Sequence, residues 1–335
     1  MASGSAYLNA RARALIGQLL PAGELARLVE LDTADEVARD LEARRWFRHG
    51  GNEGLALIQR LGAELDGDCR DTIVVIGQPG RTVVRALYSR REAEFIKAIL
   101  GCAHRGIPPS VRPSFTGAAH LFDRTAEAPL FDAATLDEAI SRVPLPYRPI
   151  LENSLHGVEE AGSLFPLEVA LDLAVLHRMW LAARGLSGSE RSRVGLILGT
   201  WFDVFNITAA CRLRLIMRVR SEEALGYLLH HGQHLGLMQR RALVAASSMN
   251  ELLAALRGLP YAAVLADAKA CDDIERALVG YFRTVLTGVL SGNPFHLGVT
   301  IAYLFLKELE IGSLSRIIEA KRYRLEASEV SKLLV

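Results

Sequence analysis

The 335-residue sequence predicts an all-α protein, and three observations lead to that fold class. Apolar residues recur at three- and four-residue spacings, which is the period of one buried helix face. Strong β character is confined to a single stretch, and a helical unit that ends in an aromatic residue occurs three times. The clearest periodic sets are Leu15, Leu19, Leu25, Leu28 and Val29, and Leu167, Leu171, Val175, Leu176 and Leu181.

Two helix starts can be read from their capping residues. Thr33 or Asp35 can accept hydrogen bonds from the first turn of the helix that follows. Ser221 precedes two glutamates, whose carboxylates favour the positive end of a helix dipole. The β-like stretch is residues 72–84, TIVVIGQPGRTVV, in which two β-branched runs flank a Gly-Gln-Pro-Gly turn. It allows one short β-hairpin, although no other strand is available to extend it.

A long internal repeat organises the chain. An acidic residue near a helix start is followed ten residues later by an aromatic residue, and this happens three times, at intervals of 101 and 114 residues. The pairs are Glu36 with Trp46, Asp137 with Tyr147, and Glu251 with Tyr261. A period of this size indicates three lobes and not a solenoid. Chance matching of acidic helix starts and aromatic helix ends is the alternative. Residues 327–330 resemble residues 34–37, so the C-terminal part is expected to complete the first lobe.

Charge and cysteine content exclude several classes of function. Lys and Arg number 39 against 38 Asp and Glu, so nothing general attracts nucleic acid. The first 14 residues lack the apolar core of a signal peptide. The scattered cysteines predict neither a metal cluster nor disulfides and favour a reducing, cytoplasmic compartment. They are Cys69, Cys102, Cys211 and Cys271.

One uncharged stretch, residues 284–306, is long enough to cross a membrane. Its centre reads Ser-Gly-Asn-Pro, a turn signature that would leave polar backbone groups unsatisfied in lipid. We interpret it as two buried helices joined by a turn.

No motif in the chain predicts catalysis. The histidines of LLHHGQHLG (residues 228–236) include an i,i+4 pair, but the segment contains a glycine and no HExxH, so a solvated helix end or a turn is the preferred interpretation. The segment GQPGRT (residues 77–82) lacks the lysine and the spacing of a phosphate loop. Glu168 and Asp172 lie four residues apart on an apolar helix, which favours structural pairing with an arginine of a neighbouring helix. No catalytic, cofactor or metal site is predicted, and a scaffold or coupling role follows.

Three motifs together carry a family resemblance. They are residues 165–172 (FPLEVALD), residues 202–207 (FDVFNI) followed by Arg212, and residues 303–310 (YLFLKELE) followed by Leu314 and Arg316. The chain resembles the C subunit of bacterial and archaeal V/A-type ATPases, the homologue of the d subunit of the eukaryotic V-ATPase. Glu92 and Glu94 depart from the family, which often has Asp and Asn there.

The resemblance implies a funnel of three helical lobes around a pseudo-threefold axis. Lobe 1 would be residues 1–85 closed by helices of 296–335, lobe 2 residues 86–195, and lobe 3 residues 196–295. It implies a non-catalytic central-stalk subunit on the cytoplasmic side of the membrane, a monomer within a hetero-oligomeric complex. Its partners would be the central shaft and the membrane proteolipid ring, between which torque passes for ion transport, and it would bind no nucleotide.

The polar positions of the matched motifs are the interaction candidates that this resemblance offers. They could line the socket for the shaft or pair with one another between helices. They are Asn206, Arg212, Glu308, Glu310 and Arg316. The alternative functions are an unrelated cytoplasmic all-helical adaptor and an enzyme with an unrecognised site.

Overall fold

The computed structural model describes residues 2–44, 46–48, 57–114, 120–291 and 296–333. These residues form helices and no strand, which confirms the all-α fold class. The helices are α1 (Ala2–Ile16), α2 (Ala22–Glu30), α3 (Ala34–Ala43), α4 (Leu57–Val75), α5 (Gly80–His104), α6 (Glu127–Phe131), α7 (Leu136–Arg142), α8 (Arg148–Ala161), α9 (Phe165–Arg184), α10 (Gly188–Cys211), α11 (Ser221–Gly226), α12 (Leu237–Ala245), α13 (Met249–Ala255), α14 (Tyr261–Val264), α15 (Cys271–Leu290), α16 (Leu297–Arg322) and α17 (Ala327–Leu333). Short 3-10 turns cover Pro109–Ser114 and Arg124–Ala126, and a π-turn covers Arg212–Ile216.

The predicted β-hairpin at residues 72–84 is wrong. Helix α4 continues through Val75, and α5 begins at Gly80 after a short turn. Along α4 the buried residues Leu61, Leu65, Cys69 and Thr72 recur at helical spacing. Thr72 and Ile73 therefore continue the core face of a helix, whereas Val74 is exposed, and burial of that face outweighs local β propensity.

One compact unit consists of residues 1–46, 75–80 and 180–335. In its core, Phe282 of α15 lies 5.2 Å from Phe305 of α16 and 5.1 Å from Trp201 of α10, measured between ring centroids. Trp201 is also 5.5 Å from Phe305. Near the start of α10, Glu190 accepts a 2.7 Å hydrogen bond from the backbone N–H of Leu297 at the start of α16. Helices α10 and α16 are therefore parallel neighbours.

The second compact unit consists of residues 47–74 and 81–179. Helix α5 is tied to α4 by the ion pair of Arg91 with Asp66, and to α9 by Lys97, whose Nζ lies 2.9 Å from Asp172. The predicted structural pairing of Asp172 is confirmed, with a lysine in place of the expected arginine. Burial raises the pKa of Asp172, and the charge of Lys97 opposes that rise.

The expectation that no disulfide holds the chain is wrong. Cys211 at the end of α10 and Cys271 at the start of α15 form a disulfide, with 2.02 Å between their sulfur atoms. The two residues meet because α15 packs antiparallel against α10, and a separation of 60 residues gives no sequence signal of that contact. Cys69 and Cys102 are buried and take no part in this disulfide. The cysteine pattern therefore no longer supports a reducing compartment.

Among the described residues, one helix is long and apolar enough to cross a membrane by length and composition. It is Gly188–Ile216, and 67% of its most apolar window is buried, as expected for a core helix of its unit. The stretch 284–306 is divided between α15 and α16, as predicted. Residues 292–294 of its expected turn lie outside the described part of the chain.

Candidate functional site

A fully buried carboxylate on α10, Asp203, is the first of three similar centres. It accepts a 2.7 Å hydrogen bond from the hydroxyl of Tyr261, the aromatic residue that opens α14. Backbone N–H groups of Gln233, His234 and Leu235 donate to the same carboxylate, at 3.1, 2.6 and 3.3 Å. One side chain thus fixes both the segment before α12 and the start of α14.

The approach of this segment to Asp203 requires a glycine. A Cβ on Gly232 would lie 2.0 Å from Oδ1 of Asp203, closer than any real contact. Next to it, His231 stacks on Trp180 with ring centroids 4.9 Å apart. The preferred interpretation of the histidine segment as a helix end or a turn is confirmed, because α11 ends at Gly226 and α12 begins at Leu237.

Burial governs the proton equilibria of this centre. It raises the pKa of Asp203, while the hydrogen bonds from Tyr261 and the backbone oppose that rise. Burial also raises the pKa of Tyr261, and the negative charge of Asp203 adds to the effect. Within the described ranges of the chain Asp203 forms no ion pair, so N–H and O–H dipoles supply its direct contacts, while Arg240 and His234 interact with its charge from further away.

The second centre lies on α5, where Glu92 is buried. The Tyr147 hydroxyl donates to it at 2.6 Å, and the backbone N–H of Phe122 donates at 3.0 Å. Arg85 adds two hydrogen bonds of 2.6 and 2.9 Å from its guanidinium group. Burial, followed by the charge of Glu92, raises the pKa of Tyr147.

The third centre lies on α16, where Glu310 is buried. The indole N–H of Trp46 donates to it at 2.9 Å, and the backbone N–H of Leu20 donates at 2.5 Å. Lys307, one turn earlier, donates at 3.1 Å and lies 3.3 Å from the centroid of the Trp46 ring. This centre joins residues 264 positions apart in the chain.

The three centres share one design. A long helix supplies a buried carboxylate, a short helix is followed by the aromatic donor, and a loop supplies backbone N–H groups. The short helices α3, α7 and α13 begin with a Thr or Ser cap and a glutamate three residues later: Thr33 with Glu36, Thr135 with Glu138, and Ser248 with Glu251. In the second copy the residue that matches Glu36 and Glu251 is therefore Glu138, one position after the predicted Asp137. The backbone N–H of Glu138 donates to the Thr135 cap, and its carboxylate accepts from the backbone N–H of Ala134.

The ends of the long helices repeat as well. Gly106, Arg218 and Arg324 have φ angles of 67°, 59° and 57°, and they follow the carboxylates by 14, 15 and 14 residues. The π-turn Arg212–Ile216 accounts for the extra residue after α10, because a π-turn accommodates one inserted residue in a helix. After each long helix, a backbone N–H bonds a carbonyl five or six positions earlier: Ile107 to Cys102, Val219 to Leu213, and Leu325 to Ala320.

The five sequence candidates divide into two groups. Asn206 is buried and holds the backbone of Leu229 through two hydrogen bonds, of 3.1 and 2.7 Å. Glu310 belongs to the third centre, and Glu308 is half-buried on α16. Asn206 and Glu310 thus take the alternative expected for them, pairing between elements.

Arg212 and Arg316 form the second group. The side chain of Arg212 is 51% exposed and that of Arg316 is 41% exposed, and both lie beside Glu275 of α15, at 2.5 and 4.0 Å. The structure therefore brings these two candidates together beside one carboxylate.

Sequence reasoning missed two of the three carboxylates. Asp203 lies in the FDVFNI motif and Glu92 departs from the family pattern, but neither is among the predicted site residues. The usable signal was their spacing, since Asp203 follows Glu92 by 111 residues and Glu310 follows Asp203 by 107.

These features define an all-helical protein in which buried carboxylates bind the chain's own segments. Aromatic and backbone donors occupy each carboxylate, and these bonds fix loops and short helices to the long helices.

Comparison with known proteins then gives the family. The profile described as "ATP synthase (C/AC39) subunit" matches residues 8–333, so the chain belongs to that family. The resemblance to the C subunit of V/A-type ATPases is confirmed, and the protein is a C subunit of an A/V-type ATP synthase. The alternative of an unrelated adaptor is wrong, because the match spans nearly the whole chain.

Archaeal relatives named as the C subunit of an A-type ATP synthase agree with this assignment. The protein of Methanothermobacter thermautotrophicus is 25% identical, over 95% of this chain and 84% of the relative. The one of Methanosphaera stadtmanae is 24% identical, over 98% of this chain and 87% of the relative. The one of Methanocaldococcus jannaschii is 24% identical, over 98% and 86%.

Proposed function

We propose that this chain is the non-catalytic central-stalk subunit that links the rotor shaft to the membrane proteolipid ring and transmits torque for ion transport. The observation that carries the proposal is the threefold repetition of the carboxylate centre along the chain. A torque coupler has to resist deformation, and close-packed interiors with satisfied buried polar groups transmit strain. Each centre locks a long helix to a loop and a short helix, which suits that purpose.

The same repetition supports three lobes around a pseudo-threefold axis, forming a funnel. Lobe 1 comprises residues 1–85 and is closed by helices of 296–335, lobe 2 comprises residues 86–195, and lobe 3 comprises residues 196–295. The bond between Trp46 and Glu310 supports the closure of lobe 1 by the C-terminal helices. The short helices α3, α7 and α13, which start near Glu36, Asp137 and Glu251, would then be related by successive rotations of about 120°, as closure of three equal lobes requires.

The protein acts as a monomer within the hetero-oligomeric complex, peripheral to the membrane on its cytoplasmic side. It binds the shaft at one surface and the ring at another, because transmission of torque requires both contacts at the same time. Arg212 and Arg316, held together by Glu275, contribute to one of these two surfaces. Neither contact involves nucleotide, so the purified chain has no ATPase activity of its own.

Binding experiments with purified subunits test the proposal. Immobilised chain is offered shaft subunits, detergent-solubilised ring, or both, and both are expected to be retained together. Competition between the two would overturn the proposal, as would nucleotide hydrolysis that is lost on mutating a residue of this chain. Arg212→Glu combined with Arg316→Glu is expected to weaken binding of one partner only. Arg257→Glu, on an exposed residue of the same unit, is the matched control.

A further inference from the structure

The segment that follows α10 combines strong positive charge with exposed apolar side chains. Residues 212–220, RLRLIMRVR, contain four arginines and no acidic residue. Ile216 is 64% exposed and Met217 is 49% exposed, side by side. Arg218 and Arg220 are exposed, and no ion pair of either occurs within the described residues. In a chain of net charge +1, this is a local concentration of charge.

The exposure of these apolar residues is built into the backbone. The N–H of Met217 donates to the carbonyl of Arg212, and the N–H of Val219 donates to that of Leu213, both at 2.9 Å. The guanidinium of Arg214 donates to the carbonyl of Val219 and closes the turn. Leu213 is buried and anchors the segment. A turn held by these bonds directs Ile216 outward, so its exposure does not result from fraying.

The end of α16 has the same character. Tyr323 is 79% exposed and is flanked by the exposed Arg322 and Arg324. Leu325, also exposed, donates its N–H to the carbonyl of Ala320 at 3.0 Å and fixes the turn. An aromatic ring with a polar tip between two arginines is typical of side chains at a membrane–water interface.

The two helix ends lie at the same end of their unit, because α10 and α16 are parallel and Arg212 and Arg316 share Glu275. Residues 212–220 and 316–325 together hold eight basic residues and one acidic residue, Glu319. The acidic residues that follow these segments, Glu222, Glu223 and Glu326, lie at or just before the start of the next helix. Arg212 and Arg316 pair with Glu275, so we restrict the name basic helix ends to residues 213–220 and 317–325, which hold six basic residues.

We propose that the basic helix ends bind the surface of a membrane that contains anionic phospholipid. Arginine guanidinium groups hydrogen-bond lipid phosphates with a favourable geometry. Apolar side chains that project between them enter the boundary between headgroups and acyl chains, as interfacial segments do. Lipid is favoured over an acidic protein because projecting side chains need no matching pocket in a headgroup layer. This contact goes beyond the proposed grip on the ring and does not depend on it.

Vesicle sedimentation with the purified full-length chain tests the inference. Vesicles of phosphatidylcholine with 30 mol% phosphatidylglycerol are compared with pure phosphatidylcholine, at low and at high salt. We expect binding to the anionic vesicles only, with a loss at high salt because surface charge is screened. Arg218→Glu with Arg220→Glu is expected to lower the partition coefficient roughly tenfold or more, since each basic residue near the surface adds to membrane affinity.

A second variant pair tests the apolar part. Ile216→Ser with Met217→Ser is expected to weaken binding and to leave the salt dependence unchanged. The matched control is Leu237→Ser with Met238→Ser, an apolar pair on α12 that is exposed to a similar degree. This pair directly follows the segment that binds Asp203, so it lies near the middle of α10 and not at its end. The charge control is Arg241→Glu with Arg257→Glu, both exposed in the same unit. Thermal unfolding verifies that all variants are folded.

Three results would overturn the inference. They are equal binding to neutral and anionic vesicles, an equal loss in control and test variants, and binding to poly-glutamate but not to lipid. The last result would assign the basic helix ends to an acidic protein partner. Because no other component of the complex is present in the assay, failure here would leave the proposed coupling role intact, and failure of the shaft and ring binding would leave lipid binding intact.

Discussion

The carboxylate centres on α10 and α5 perform the same task with different charge balance. At Asp203 the charge faces a tyrosine hydroxyl and three backbone N–H groups. At Glu92 it faces one tyrosine hydroxyl, one backbone N–H and the two-pronged bond from Arg85. A buried carboxylate can thus be balanced by dipoles that belong to the fold or by a cation that remains partly in water. Loss of the carboxylate is therefore expected to leave more buried groups without a partner at the Asp203 centre than at the Glu92 centre.

Removal of the carboxylate is expected to have the largest effect. Asp203→Ala leaves the Tyr261 hydroxyl and several backbone N–H groups without an acceptor, so we expect a loss of about 3–5 kcal/mol in unfolding free energy. Glu92→Ala is expected to cost less, because the side chain of Arg85 is 37% exposed and can turn to solvent. Urea unfolding and hydrogen exchange at residues 228–236 measure the difference. Equal losses would show that the two forms of charge balance are equivalent.

Truncation of the aromatic donor comes next. Tyr261 is fully buried, so Tyr261→Ala is expected to destabilise its surroundings by about 2–4 kcal/mol. Tyr261→Phe keeps the ring and removes the hydrogen bond, which isolates the polar part at about 1.5–3 kcal/mol, the range for bonds to charged groups. Tyr147→Phe is the matched variant, for which we expect a smaller loss because Arg85 still neutralises Glu92. A larger loss of unfolding free energy for Tyr147→Phe than for Tyr261→Phe would contradict this explanation.

A substitution of Gly232 is expected to destabilise the Asp203 centre by steric overlap, and by less than the loss of the carboxylate. Gly232→Ala places a methyl group against Asp203 and forces the segment away, with an expected cost of about 1–3 kcal/mol. Gly280→Ala, on α15 of the same unit, meets nothing within 4 Å and serves as the control. Since it replaces a helical glycine, the control is expected to be neutral or slightly stabilising. The Tm of each variant relative to the wild type measures the two effects, and only Gly232→Ala is expected to lower it.

The smallest expected effects are pH dependences of opposite sign within one unit. The pKa of Asp203 is raised, so the folded state takes up its proton first as pH falls. Between neutrality and about pH 4, the wild type should gain stability relative to Asp203→Asn.

The opposite sign is expected at the exposed cap of α13. The backbone N–H of Ser247 lowers the pKa of Glu251, so the unfolded state takes up that proton first. The wild type should lose stability relative to Glu251→Gln as pH falls below about 5. Urea titrations at several pH values measure both differences, and a common sign would contradict the assigned pKa directions.

Local sequence signals predicted the helices and the aromatic ends well. Thr33 caps α3 as expected, and Trp46, Tyr147 and Tyr261 are all buried donors to carboxylates. These features depend on neighbouring residues, whose periodicity and capping chemistry can be read along the chain.

Features that depend on distant contacts were not predicted. The partners Asp203 and Tyr261 are 58 residues apart, and Glu92 and Tyr147 are 55 apart. The Cys211–Cys271 disulfide likewise depends on the packing of α15 on α10. The hairpin prediction failed for the same reason, because the core that buries Thr72 on α4 is not visible in a local β-branched run.

The bond between Trp46 and Glu310 has a consequence for biosynthesis. During translation, Trp46 leaves the ribosome long before the acceptor on α16 has been made, since 264 residues separate the two. At a synthesis rate of about 5–20 residues per second, the indole waits roughly 13 to 50 seconds for its partner. The centres of Glu92 and Asp203 can close during that delay. The segment that carries Trp46 is therefore made early but reaches its final structure late, and an unfinished chain exposes an apolar ring that the completed protein hides.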